Sequence, residues 1–184
     1  MQPKPRLLRR IDATGVPLLV ARLAVGGMFA YLAYMKMHDP IEFLKQTREY
    51  GILPLDPPIF LNLTAVALPW LEMVCAAALV LGIARRGAAL LIVGMLSFFT
   101  PMLLARAWGL YTAPDSAFAT FCGVKFDCGC GTGPVFICRK LAENIGLLVG
   151  ALIILFSVSR RFCLATLFAR ARDIRPSPQA LEKA

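Results

Sequence analysis

The stretch from Phe60 to Gly82, FLNLTAVALPWLEMVCAAALVLG, holds a single charged residue, Glu72, in 23 positions. A helix of about 20 mainly apolar residues is what crosses the hydrocarbon core of a bilayer. Three further stretches read the same way, at 16–35, 88–108 and 141–158. The expected fold is therefore all-α, an integral membrane four-helix bundle. Composition agrees, with 58% hydrophobic and 17% charged residues and a mean hydropathy of +0.67. A soluble domain carries about 25% charged residues. The first apolar stretch follows basic residues, as a signal peptide does. It runs too long and lacks a small-x-small cleavage site, so it reads as a retained helix.

Charge sets the expected orientation. The net charge of +9 invites a nucleic-acid partner, but the basic residues flank the apolar stretches, so lipid is expected and nucleic acid is not. Twelve of the 20 Lys and Arg fall at the N-terminus, in the 83–87 turn and in the tail from 159. Six fall in the two loops on the other side. The excess places both termini in the cytoplasm of a multi-pass protein of the bacterial inner membrane. The expected organisation is a cytoplasmic N-terminus (1–15), a four-helix membrane domain (16–158) and a basic cytoplasmic tail (159–184). The tail alternates basic and apolar positions from Ser159 to Arg170 and should lie on the inner leaflet.

Between the first two spans, Asp39 suits an N-cap, Pro40 a first helical position and Gly51 the residue beyond a helix end. Ile41, Phe43 and Leu44 give this short helix an apolar face, so it should lie in the membrane interface. Arg85-Arg86-Gly87 reads as the tight cytoplasmic turn between the second and third spans.

Two charges fall inside the spans. Arg22 and Glu72 lie roughly 9 and 15 Å from the inner end by helical rise. An unpaired charge near the membrane centre costs about 2.5–3.5 kcal/mol on insertion scales, so each needs a partner. An intramembrane Arg22–Glu72 pair is the simplest expectation, as a helix fastener or as a group that binds a quinone head or moves protons. Trp108 suits the outer aromatic belt, whereas Trp70 lies deeper and should pack between helices. Gly26, Gly27, Gly94 and Gly150 would allow close helix approach.

The loop at 109–140 concentrates the chemistry. Cys122, Cys128, Cys130 and Cys138 are spaced Cys-x5-Cys-x-Cys-x7-Cys, and three disulfide connectivities are possible. Facing outward, these thiols would lie where disulfides persist. A Cys128–Cys130 bond closes a very small ring, strained and readily reduced, which suits exchange chemistry. Cys122 and Cys138 would then form a structural or resolving disulfide. Plain structural disulfides and a four-thiolate metal site stay open beside the exchanging pair, although structural zinc favours Cys-x2–4-Cys spacing and no metal is assigned. Glu143 is the nearest candidate proton acceptor in sequence, a carboxylate otherwise explained by the helix dipole. His38 has a solvated reading and a redox one. Cys75 and Cys163 read as inert packing residues.

Several segments together resemble a known group: Tyr34-Met35-Lys36 with Asp39-Pro40, Tyr50-Gly51-Ile52-Leu53-Pro54, Leu68-Pro69-Trp70-Leu71-Glu72, Gly82-Ile83-Ala84-Arg85-Arg86 and Asp127-Cys128-Gly129-Cys130. They look like the DoxX-like membrane proteins, in particular the methylamine-utilisation MauE branch, over roughly 16–158. The resemblance implies a four-helix membrane bundle performing thiol–disulfide redox work outside the cytoplasm. MauE-like proteins are thought to assist disulfide formation in an exported dehydrogenase subunit beside a thioredoxin-like partner. Other DoxX-like proteins are linked to quinone-coupled sulfur oxidation or oxidative-stress complexes. Carried over, Cys128 and Cys130 would be the redox pair, and Arg22 and Glu72 the intramembrane polar residues. The chain departs from the pattern in Gly131-Thr132-Gly133 after the Cys-Gly-Cys, in the extra Cys122 and Cys138, and in a long 109–127 loop.

The functional expectation is a thiol–disulfide oxidoreductase component that exchanges with a thioredoxin-like or substrate protein outside the cytoplasm. Quinone is the candidate carrier; no cofactor is certain. The alternatives are a non-catalytic accessory subunit of a larger respiratory or photosynthetic membrane complex, with structural disulfides, and a four-cysteine metal-site protein.

Overall fold

The computed structural model describes residues 15–54, 56–114, 116 and 118–157. Residues 1–14, the basic tail with its inner-leaflet reading, and Cys163 lie outside the described residues.

Helix α1 (Val16–His38) opens with a proline in its first turn and ends at Asp39. That residue starts the next helix, α2 (Pro40–Glu49), where its carboxylate accepts from the Glu42 N–H at 3.0 Å. The expected cap, first-turn proline and Gly51 stop (φ 64°) are all in place. Phe43 and Gln46 form the buried face of α2.

Helix α3 (Ile59–Leu81) ends in a paired-hydrogen-bond C-cap, with Gly82 N–H on Leu79 O (3.2 Å) and Ile83 N–H on Ala78 O (3.0 Å). Gly82 has φ 73°, a conformation glycine adopts without a Cβ clash. This cap makes the turn at 82–84, and Arg85 already begins α4 (Arg85–Thr112). The expected turn at Arg85-Arg86-Gly87 is thus displaced toward the glycine that can stop a helix.

Beyond α4 lie a short 3-10 turn (Phe121–Gly123) and a two-stranded hairpin, β1 (Lys125–Asp127) with β2 (Pro134–Phe136), which add a small sheet to the expected all-α fold. The chain continues into α5 (Ile137–Phe156).

Among the described residues, three helices are long and apolar enough to cross a membrane: Val16–His38, Ile59–Leu81 and Arg85–Tyr111. In α5, Arg139, Lys140 and Glu143 occupy the first two turns and dilute its apolar run. Its apolar remainder packs on α4 and α1, while α1 packs most extensively on α3. Close approach of α1 depends on Gly26, where a Cβ would stand 3.1 Å from Ala76 O. Gly150 serves α5 likewise, its would-be Cβ 2.7 Å from Val25 Cγ2, whereas Gly27 and Gly94 meet nothing within 4 Å. The core between the four long helices is built from Leu18, Phe29, Leu79, Ile92, Leu96 and Ile154 with small Ala residues between them.

The outside is as apolar as the inside. Leu63, Val66, Val74, Leu90 and Val149 are all exposed, the pattern of helices that meet lipid tails rather than water. Trp70 belongs to this outer face at 60% exposure, so it does not pack between helices as expected. Trp108 is equally outward and makes tilted ring contacts with Tyr111 and Phe121.

Candidate functional site

The four loop cysteines divide between the two ends of the hairpin. Cys122 pairs with Cys138 at its base (Cα–Cα 5.1 Å), and Cys128 with Cys130 at its tip (5.4 Å), both inside the usual disulfide range. The rungs Lys125–Phe136, Phe126–Val135 and Asp127–Pro134 lie between the two pairs. The base pair thus ties the hairpin to the start of α5, and the sulfurs do not converge on one centre. Among the described residues, no group of three or more His, Cys, Asp or Glu side chains is placed to share a metal ion.

Local interactions hold the Cys-Gly-Cys turn in one place. Asp127 accepts from the Gly129 N–H at 2.9 Å, and the Tyr50 hydroxyl donates to Cys128 O at 3.0 Å. Gly131, at φ 77°, lies so close to α1 that a Cβ would stand 2.7 Å from Met35 Cβ. Gly129 sits less tightly over Gln46 on α2, its would-be Cβ 3.3 Å from the Gln46 Cβ. Only glycine fits such an approach in this backbone conformation.

Arg106, from α4, braces the same corner. Its guanidinium pairs with Glu49 and lies over the rings of Tyr50 (5.0 Å) and Phe126 (5.5 Å). Burial of Tyr50 pushes its phenol up to about 12, outweighing the neighbouring Arg106 charge, so the hydroxyl keeps the proton it donates to the turn.

Behind the turn is a cavity of about 190 Å³, whose wall includes Cys128, Gly129 and Cys130. Cys128 is buried and Cys130 half-buried, while Cys122 is exposed. Most of the wall is apolar, from Phe29, Leu32, Phe43, Leu96, Phe98 and Phe99. Polar side chains break it, among them Lys36, Glu72, Lys140 and Asn144.

Glu72 is buried, but its partner is Lys36, whose Nζ donates to both carboxylate oxygens at 2.6 and 2.8 Å. The expected Arg22–Glu72 pair is therefore corrected. Arg22, 1% exposed, donates from Nε to Leu79 O (2.7 Å) and from Nη2 to Val80 O (2.9 Å), capping the end of α3. The cause is side-chain direction. Helical side chains lean toward their own N-terminus, so Arg22 leans away from Glu72 toward the last carbonyls of antiparallel α3. Lys36, near the other end of α1, leans inward, and Glu72 leans outward to meet it. Sequence reading placed Lys36 in a loop; the signal that could have found it is that α1 continues through His38.

Glu143 does not line the cavity. It pairs with Lys140 (3.2 Å) and Arg139 (3.4 Å), and the carboxylate at the cavity is Glu72. Asn144 does reach the wall, with its amide donating to Thr100 Oγ1 at 3.2 Å. His38 is exposed at the end of α1, in ring contact with Tyr34. Cys75 is buried in the core as an unpaired thiol.

The family model described as methylamine utilisation protein MauE matches residues 14–157. The chain belongs to the MauE family. The match takes in every helix described above and the whole cysteine hairpin, so the site lies within the part that defines membership. No curated protein and no solved structure matches this MauE-family chain.

Proposed function

We propose that this MauE-family membrane protein is a thiol–disulfide redox component whose working pair is Cys128–Cys130, with Cys122–Cys138 as the staple of the loop. The supporting observation is position: the Cys-Gly-Cys turn is pinned by Tyr50 and Asp127 and forms part of the cavity wall. Exchange needs a thiolate and an accessible disulfide sulfur. Cys130, the less buried member, faces that requirement best. Under this reading α5 completes a four-span bundle in the bacterial inner membrane. Both termini are cytoplasmic and α2 lies in the outer interface. The hairpin then meets exported substrate proteins or a thioredoxin-like partner, in keeping with methylamine utilisation and wider DoxX-like kinship. Electrons leave to quinone or another membrane carrier.

The second reading is an accessory subunit of a larger membrane complex. Gly27 and Gly94, open on the outer helix faces, support it by leaving room for another helix.

The test is alkylation mass spectrometry on membranes under graded dithiol. The redox reading expects Cys128–Cys130 to open first and Cys122–Cys138 to resist. Cys130→Ser should abolish disulfide transfer to a reduced exported substrate. Two bonds equally resistant, with transfer intact in Cys130→Ser, would sink the redox reading in favour of the accessory one.

A further inference from the structure

The cavity beside the cysteine turn has a size, a position and a set of polar groups that define an occupant. An apolar cavity of about 150 Å³ accepts benzene. At about 190 Å³, this one holds a single substituted six-membered ring. Phe98 and Phe99 line it and are also exposed near the middle of α4, on the apolar outer face of the bundle. The ammonium groups of Lys36 and Lys140 come from two different helices, and an ammonium only donates hydrogen bonds. Lys36 gives two of its three N–H groups to Glu72 and Lys140 gives one to Glu143, so each keeps a donor that a hydrocarbon ring cannot use. A ring carrying carbonyl oxygens, which gain negative charge on reduction, meets them.

We propose that the cavity binds the head ring of a lipid-soluble quinone, with Lys36 and Lys140 as donors to its oxygens and Asn144 as a polar neighbour. For its chemistry this assignment rests on the thiol–disulfide reading. Oxidation of the Cys128/Cys130 dithiol to the disulfide forms one S–S bond, breaks two S–H bonds and releases two electrons and two protons. A quinone is the class of membrane-dissolved acceptor that takes up both and leaves as the quinol. The Lys36–Glu72 pair lies in the same wall.

The test separates binding from turnover. The full chain carrying Cys128→Ser and Cys130→Ser, in lipid nanodiscs, is photolabelled with an azido-benzoquinone with and without excess decylubiquinone. The expected result is competable label on the peptides bearing Lys36, Phe98 and Asn144. The charge-balanced Lys36→Met/Glu72→Met variant should lower it about tenfold, the scale of a lost charged hydrogen bond. Lys140→Met, which leaves that pair intact, should lower it in the same direction. Label spread over the outer helix faces and undiminished by competitor would overturn the proposal, as would unchanged label in both variants. Competable label in a protein whose native cysteines fail to exchange would keep the site and remove the redox reading. Active cysteines without competable label would do the reverse.

Discussion

The two ends of the bundle each bury a cation, and they use it differently. At one end Arg22 spends its donors on the terminal carbonyls of α3, amid close-packed Val25, Leu79 and Gly26. At the other end Lys36 is paired with Glu72 beside open space, next to the cysteine turn. A buried charge that completes backbone hydrogen bonding serves the fold. One held by an opposite charge at a cavity wall leaves room for a ligand and is expensive to disturb alone.

That contrast can be broken by substitution. Glu72→Gln leaves the Lys36 ammonium buried without its counter-charge, and removing one member of a buried pair costs about 3–5 kcal/mol. Thermal unfolding in detergent should show this loss, with most of it recovered in Lys36→Met/Glu72→Met. Arg22→Met should cost less, about 1–3 kcal/mol, because Leu79 O keeps its bond from Gly82 and Val80 O is the carbonyl left wanting. Equal losses for the two variants would erase the distinction between the ends.

The hairpin gives a finer comparison. Gly131→Ala must force a Cβ against Met35 in a left-handed conformation, so it should loosen the turn and raise the alkylation rate of Cys128 and Cys130 after reduction. Gly133, at φ 75° with nothing within 4 Å, carries only the conformational cost of about 1–2 kcal/mol in Gly133→Ala. Similar alkylation rates in the two variants would show that the approach to α1 does not set the turn.

The smallest effect belongs to Tyr50. Its Tyr50→Phe variant loses one hydrogen bond to Cys128 O, about 1 kcal/mol. The native phenol, raised from 10.0 to about 12, stabilises the fold fully below pH 10.0 and loses that contribution as pH climbs toward 12. The difference in melting temperature between native and Tyr50→Phe should therefore shrink over that window. A difference constant through it would disprove the assignment.

Much of the architecture could be read from residue order. Asp39, Pro40 and Gly51 bound α2, because a cap and a helix stop are local chemistry. The apolar runs placed the long helices to within a few residues, although Arg139, Lys140 and Glu143 put three charges into the first two turns of α5. The site was less legible. The Cys-Gly-Cys stood out, but its neighbours Lys36, Tyr50, Lys140 and Arg106 come from four separate segments, and nothing in their spacing ties them together. The Arg22–Glu72 expectation matched charge and depth while missing the lean of the side chains.

By itself the amino-acid order determined that this chain forms long apolar helices with a cluster of four cysteines between the last two. Periodicity, glycine stops and caps act over a few residues, and the chain states them directly. Tertiary structure alone decided which cation meets Glu72, which cysteines stand together and that a cavity opens behind the turn. Those outcomes depend on how antiparallel helices face one another across the bundle, a relation between distant residues that no local pattern encodes.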